Sequence, residues 1–191
     1  MKLFSKKNRG EYGYIHNKKR NSLFGTLLMT LCGVIIFVAG FVLNDMSNKN
    51  IFTVLAMLFV LPGAKFLVAF IVVFPHRSAS RELYEKVKDV LPEQMTLFSD
   101  MVITSSEKIM QLDFVTVGNG QVLGLVSGEK QDLPYIRGYL TKGVRNWGSD
   151  YKIKIFDSEK KFLTELSNVK PEETDREEEE KVRSYLLSLI I

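Results

Sequence analysis

Few residues in this chain are spaced for chemistry, and the first of them is a charge in an apolar setting. Lys65 lies within Ile51 to Phe74, IFTVLAMLFVLPGAKFLVAFIVVF, three residues after Pro62. An ionisable group inside a span-length apolar run marks a polar site, because leaving it unpaired there costs about 2.5–3.5 kcal/mol on insertion scales. Proline has no N–H, so Pro62 leaves the Leu58 carbonyl without its helical donor. With Thr30 on the preceding run, such loosened carbonyls form the expected acceptor set for the Lys65 amine. Cys32 is the only cysteine, which excludes an intrachain disulfide, and the two histidines, His16 and His76, lie far from any cysteine. Metal-ligand spacing is therefore missing, and no metal site is expected. Neither a phosphate loop nor a nucleophile elbow nor a His-Glu-x-x-His motif occurs.

The elements that must position Lys65 are two apolar runs, Leu23 to Leu43 and Ile51 to Phe74, joined by the polar loop Asn44 to Asn50. About 20 apolar residues cross a hydrocarbon core of roughly 30 Å. The pair predicts a two-span transmembrane hairpin (residues 22–75) in a cell membrane. Seven Lys or Arg against Glu11 in the leader, residues 1–21, predict a cytoplasmic N-terminus, since basic flanks resist translocation. The run after the leader lacks a small-x-small cleavage site, so a retained anchor is expected. His76, Arg77 and Arg81 follow the second run, so the C-terminus is expected in the cytoplasm too. Gly33 and Gly40 share one helix face, as do Ala56 and Gly63. A fold near residue 48 would set Gly40 against Ala56 and Gly33 against Gly63 in a close seam. The bilayer is thus one expected partner, and a second copy or another membrane protein is another.

The net charge of +4 and the pI near 9 reside in the leader, because residues 76–191 carry more acid than base. Nucleic acid is therefore not an expected partner. Phe114, Tyr135, Tyr139, Trp147 and Tyr151 read as core rather than a stacking platform for bases. From Arg81 onward the periodicities predict a small cytoplasmic α/β (α+β) domain, residues 76–168, followed by an acidic linker and amphipathic helix, residues 169–191. The order is α-β-β-β-α-β-α-α. Strands are expected at residues 97–104, 112–117, 121–126 and 151–156, and Gly118-Asn-Gly120 is a hairpin turn. The last helix is expected over residues 181–191, ending in the apolar run Leu186 to Ile191.

Residues 80–157 resemble the restriction-endonuclease-like fold, the fold of the nuclease-related domains in some bacterial membrane-linked proteins. Asp113 precedes Phe-Val-Thr-Val and a glycine turn, as the family's first acid does, and Ser127-Gly-Glu129-Lys130 falls where its Glu-x-Lys belongs. The resemblance implies two acids holding a divalent metal and a lysine polarising a nucleophile. Those roles fall to Asp113, Glu129 and Lys130 only after a slip of one or two residues, since Glu129 itself stands where the lysine belongs. Ser127 in place of the second acid breaks that motif. The layout also resembles short two-span bacterial membrane proteins with Leu-Pro-x-Ala-Lys in the second span, here Leu61-Pro-Gly-Ala-Lys65. Taken together, the expectation is a membrane-anchored, non-enzymatic protein that needs no cofactor. Its cytoplasmic domain would bind a partner or associate with itself. A membrane-tethered nuclease-like enzyme and a small transport accessory centred on Lys65 are the alternatives.

Overall fold

A computed structural model describes residues 8–128, 131–148, 150–170 and 175–191. The chain divides into two compact units: residues 16–75 form one, and residues 8–15 with 76–191 form the other. Three helices belong wholly or mainly to the first: α1 (Tyr14–Leu43), α2 (Ile51–Leu58) and α3 (Val60–Val73). Read as continuous spans, Tyr14–Leu43 and Ile51–Val73 are long and apolar enough to cross a membrane. Their apolar side chains are not spent on a core. Leu31 is 56% exposed and Leu61 is 70% exposed, and few residues in either span are buried.

The turn between them is fixed by its own polar residues. Asp45 and Met46 take positive φ, and Asn50 caps α2 by accepting from Thr53 N at 2.9 Å. The Asn50 amide nitrogen also donates to the carbonyls of Gly40 and Ser47. This sets the hairpin register differently from the sequence expectation. A Cβ on Gly40 would stand 2.2 Å from Phe52 Cβ, the nearest neighbour of Gly33 is the Ala56 carbonyl, and Gly63 faces Met29. All four small residues do lie at or beside the helix contact, but Gly40 meets Phe52 rather than Ala56, and Gly33 meets Ala56 rather than Gly63. The positive-φ pair places the reversal about two residues earlier than a symmetric loop would.

The second unit is built on a four-stranded mixed sheet, β1 (Thr96–Thr104), β2 (Ile109–Gly118), β3 (Gln121–Leu125) and β4 (Lys152–Phe156), in the order β1-β2-β3-β4. The first three strands are antiparallel and β4 runs parallel to β3. That last pairing needs a crossover, which α5 (Leu133–Val144) supplies. Between β2 and β3, Asn119 and Gly120 both adopt positive φ, at 50° and 65°. This is the geometry for which an Asn-Gly hairpin turn is selected.

Four helices cover the sheet. Ile136, Leu140 and Val144 of α5, with Val182 and Leu186 of α7 (Arg176–Ser188), pack on one face against Met101, Leu112 and Val115. Leu83 and Val87 of α4 (Arg81–Val90), with Phe162 and Leu166 of α6 (Glu159–Ser167), pack on the other against Phe114, Leu123 and Leu125. Phe114 is accordingly core, whereas Trp147 is 46% exposed and stacks on Tyr185.

The last helix starts five residues earlier than its apolar pattern suggests. Asp175 accepts from Glu177 N, and the acidic first turn complements the positive end of the helix. It stops at Ser188, and the chain then joins the sheet, with Ile190 bridging to Ile103 and Ile191 N donating to Val102 O. The expected apolar tail is therefore not a free surface: Leu186 and Ile190 are buried. The segment before α1 uses the same edge strand, since Ser99 N donates to Gly10 O, and the Tyr14 hydroxyl at the start of α1 donates to Ile191 O. An exposed edge strand is a template for aggregation. Both ends of the described chain cover this one.

Candidate functional site

Strand alternation fails at one place in the sheet, and the acids gather there. In β1, Phe98 and then Met101 and Ile103 enter the core under α5 and α7. In β2, Met110 and Leu112 enter it, followed by Val115 and Val117. Each strand makes one step of three where alternation allows two. The register runs Ser99↔Phe114 and then Met101↔Leu112, which leaves Asp100 and Asp113 opposed between them and outside the ladder pairs. Asp100 has φ 56°, a left-handed conformation that short polar side chains tolerate. That residue shifts the phase of β1, so both sides of the break keep their apolar residues in one core.

Asp100 is fully buried. Its Oδ2 accepts from the Ser78 hydroxyl at 2.6 Å and from Ile15 N at 3.4 Å, while Oδ1 is buried without a hydrogen-bond partner. Burial pushes its carboxyl above the usual range, the hydrogen bonds from Ser78, Ile15 and Gly13 oppose that shift, and the negative charge of Asp113 adds to it. Asp113 is buried and spends both oxygens: Oδ2 accepts from Ser127 N at 2.7 Å and Oδ1 from the Gln111 amide at 3.0 Å. Gln111 also donates to the Arg77 carbonyl, and its own carbonyl pairs with His76 Nδ1 at 3.0 Å. The Gln131 carbonyl takes Gln111 N.

The cluster is therefore a set of ties. Asp100 joins β1 to the start of α1 and to the segment after α3, and Asp113 joins β2 to the residues just past β3. Among these residues the sequence reading singled out Asp113, and the structure adds Asp100, Ser78, Gln111 and Gln131. One signal for Asp100 stood in the sequence: an aspartate inside the apolar run LFSDMVIT is poorly suited to a regular strand. Glu129 and Lys130 lie outside the described residues. Among the described residues no group of three or more His, Cys, Asp or Glu could hold a metal ion.

A consequence for pH follows from the raised Asp100 carboxyl. Its folded-state value lies above the unfolded one, so the group favours folding fully below the unfolded value of about 3.9. That contribution is lost as pH rises from there through the folded value. Asp100→Asn should flatten this limb of a urea-stability profile measured from pH 4 upward. An unchanged slope would assign the limb to other carboxylates.

In the first unit the helix is interrupted at Phe59, one turn before Pro62, where the proline ring would strike the Leu58 carbonyl. Phe59 N turns to Ala56 O, and Gly63 N donates to Phe59 O. The loosened backbone does not serve Lys65, which corrects the expected acceptor set. Lys65 is two residues past Gly63 in the seam, about 200° round a helix, so it faces away from α1. It is exposed, and none of the described residues bonds its amine. Thr30 instead borders an apolar groove of about 330 Å³, lined also by Thr26, Gly33, Ala56, Gly63 and Ala64. The small residues shape this groove because their side chains leave the space between the helices unfilled.

Comparison of the chain with protein-family models, with curated proteins and with solved structures returned no match.

Proposed function

We propose that this is a two-span membrane protein with both termini in the cytoplasm, whose cytoplasmic domain works by binding another protein or a second copy of itself. One observation carries the topology: residues 8–15 and 76–191 belong to the same compact unit. The chain leaves that body, forms two helices of span length, and returns to it. An even number of crossings satisfies this, and a single crossing would put the two parts on opposite sides. The basic leader then gives the orientation. With Cys32→Ser as background, a membrane-impermeant maleimide should label Ser47→Cys in intact cells, while Arg9→Cys and Lys161→Cys stay protected. External labelling at Lys161→Cys would end the two-span reading.

The binding role is supported by the surface rather than by the acid cluster. Trp147 is half exposed, stacks on Tyr185 at 6.2 Å, and follows the exposed Arg145. Tryptophan and arginine carry much of the energy in protein interfaces. The free edge of the sheet, β4, is blunted by exposed Lys152 and Lys154, the latter paired with Glu165, so strand addition there is disfavoured. Cross-linked complexes should weaken in Trp147→Ala while the domain's melting temperature holds.

The nuclease-like reading keeps one point in its favour, the element order α4-β1-β2-β3-α5-β4 with Asp113 on the middle strand. Against it, both Asp113 oxygens are engaged by Ser127 N and Gln111. Full-length protein assayed with Mg²⁺ or Mn²⁺ on DNA and RNA decides. Metal-dependent cleavage abolished by Asp113→Ala would replace the binding role with a catalytic one.

A further inference from the structure

The outward face of α3 raises a question the hairpin itself does not answer: what neutralises Lys65. The helices of the first unit contain no aspartate or glutamate between His16 and Leu43 or between Ile51 and Val73. The span helices of a second copy therefore bring no acid either, and pairing of like spans leaves the amine without a counter-charge at its own level.

The register of the hairpin sets its depth. Lys19 sits over the Phe74 ring, at 5.7 Å from amine to centroid, Gly25 faces Phe66, and Gly63 faces Met29. Lys65, one residue before Phe66, is thus level with Thr26. The basic residues Lys18, Lys19 and Arg20 mark the polar end of α1, and six residues separate Arg20 from Thr26, about 9 Å along a helix. Measured from Pro75 along the second run alone, the same lysine would sit about 15 Å deep. The other end of the span is farther, since Ile51 is fourteen residues away, about 21 Å.

A lysine stem reaches about 6 Å toward water when it snorkels. Side chains on a helix lean toward its N-terminus, and for α3 that direction is away from the basic end. The amine therefore stops short of the level of Arg20 by several ångströms. An anion must come down to it, and lipid headgroup phosphate is the anion present at that level of a bilayer.

We propose that Lys65 binds the phosphate of a phospholipid in the cytoplasmic leaflet, an annular site on the outer face of α3. This rests on the membrane reading above. The side chain's contribution is a point charge with three donors, which suits phosphate without requiring a fixed fork. Arginine should substitute, and an apolar chain of equal length should not.

The test uses the full chain in maltoside micelles. Phosphatidylglycerol should raise the melting temperature of the wild type by about 3 °C, the scale of one good interaction in a chain this size. The rise should fall below about 1 °C in Lys65→Met and in Lys65→Gln, and persist in Lys65→Arg. Native mass spectrometry should show one fewer retained phospholipid in the first two variants. Equal stabilisation of wild type and Lys65→Met would overturn the proposal. So would the same rise with diacylglycerol, which has the chains without the phosphate, or with inorganic phosphate alone. Release of the wild-type chain from membranes by alkaline carbonate would instead reject the membrane reading, and is scored separately.

Discussion

Replacing Leu186 with aspartate is expected to unfold the α/β domain. Leu186 is fully buried in α7, among Val182, Ile136, Leu140 and the inner residues of β1 and β2. Truncation at such a site costs about 2–5 kcal/mol, partly as lost transfer energy and partly as a cavity. A carboxylate there adds the penalty of an unpaired buried charge, several kcal/mol more. The sum is comparable to the whole stability of a domain this size, about 5–15 kcal/mol. Leu186→Ala should lower the urea midpoint, and Leu186→Asp should leave no cooperative transition. The control is Leu189→Asp, beyond the helix and only partly buried, which should cost less. A cooperative transition in Leu186→Asp at the wild-type midpoint would mean that the C-terminal helix is an appendage. The second consequence is at the edge strand: without the Ile103 to Ile190 bridge, β1 is open to pairing between molecules, so the unfolded variant should also aggregate.

The second large effect belongs to Gly40. A Cβ at that position would lie 2.2 Å from Phe52 Cβ and 3.0 Å from the Asn50 side-chain oxygen. The first of these neighbours is a stem atom that no rotamer change moves, so the two helices must separate. Separation also draws the Gly40 carbonyl from the Asn50 amide, which now holds it at 3.1 Å, and disturbs the cap on α2. Gly40→Ala should therefore cost about 1–3 kcal/mol, the usual scale of overpacking, and Gly40→Leu more. Gly33→Ala and Gly63→Ala meet neighbours at ordinary van der Waals distance, 3.5 and 3.6 Å, and should be tolerated. Val38→Leu, on an exposed position, is the neutral reference. Detergent melting of the full chain, or protease resistance of the hairpin, ranks the four. Gly40→Ala matching Val38→Leu would remove the Gly40 to Phe52 contact from the fold.

Much of the architecture was legible in advance because it is local. Two apolar runs of span length, the Asn-Gly turn and the period-two pattern of β4 each depend on a few neighbouring residues. Such signals survive without knowledge of the rest of the chain. The register of the hairpin was legible only approximately. Small residues every seventh position show which faces meet, but the loop's positive-φ residues Asp45 and Met46 decide where the chain turns, and an offset of two residues there moves every facing pair by four.

The acid cluster was legible only by half. Asp113 could be noticed beside its glycine turn, but the rest of the cluster comes from separate stretches: Gln111 on the same strand and Ser127 past the next one bond Asp113, and Ser78 bonds Asp100, both from earlier in the chain. Nothing in their spacing foretells that register will set Asp100 opposite Asp113. The Lys65 expectation failed for a related reason. Its neighbours in sequence, Pro62 and the loosened turn, lie on the same helix, and a residue two positions from the seam necessarily points away from it.

By itself, then, the amino-acid sequence determined that this chain has two helices of span length, a basic segment before them, and an α/β body after them. Periodicity, length and turn chemistry are short-range properties, and each leaves its mark in a handful of consecutive residues. Only the tertiary structure decided that residues 8–15 fold with residues 76–191, that the apolar C-terminal run is core, and that Asp100 and Asp113 face one another. Those outcomes depend on which distant surfaces bury one another and on the register of strands far apart in the chain. Burial between remote segments has no periodic signature, so Leu186 reads the same in sequence whether it awaits a partner or fills a core.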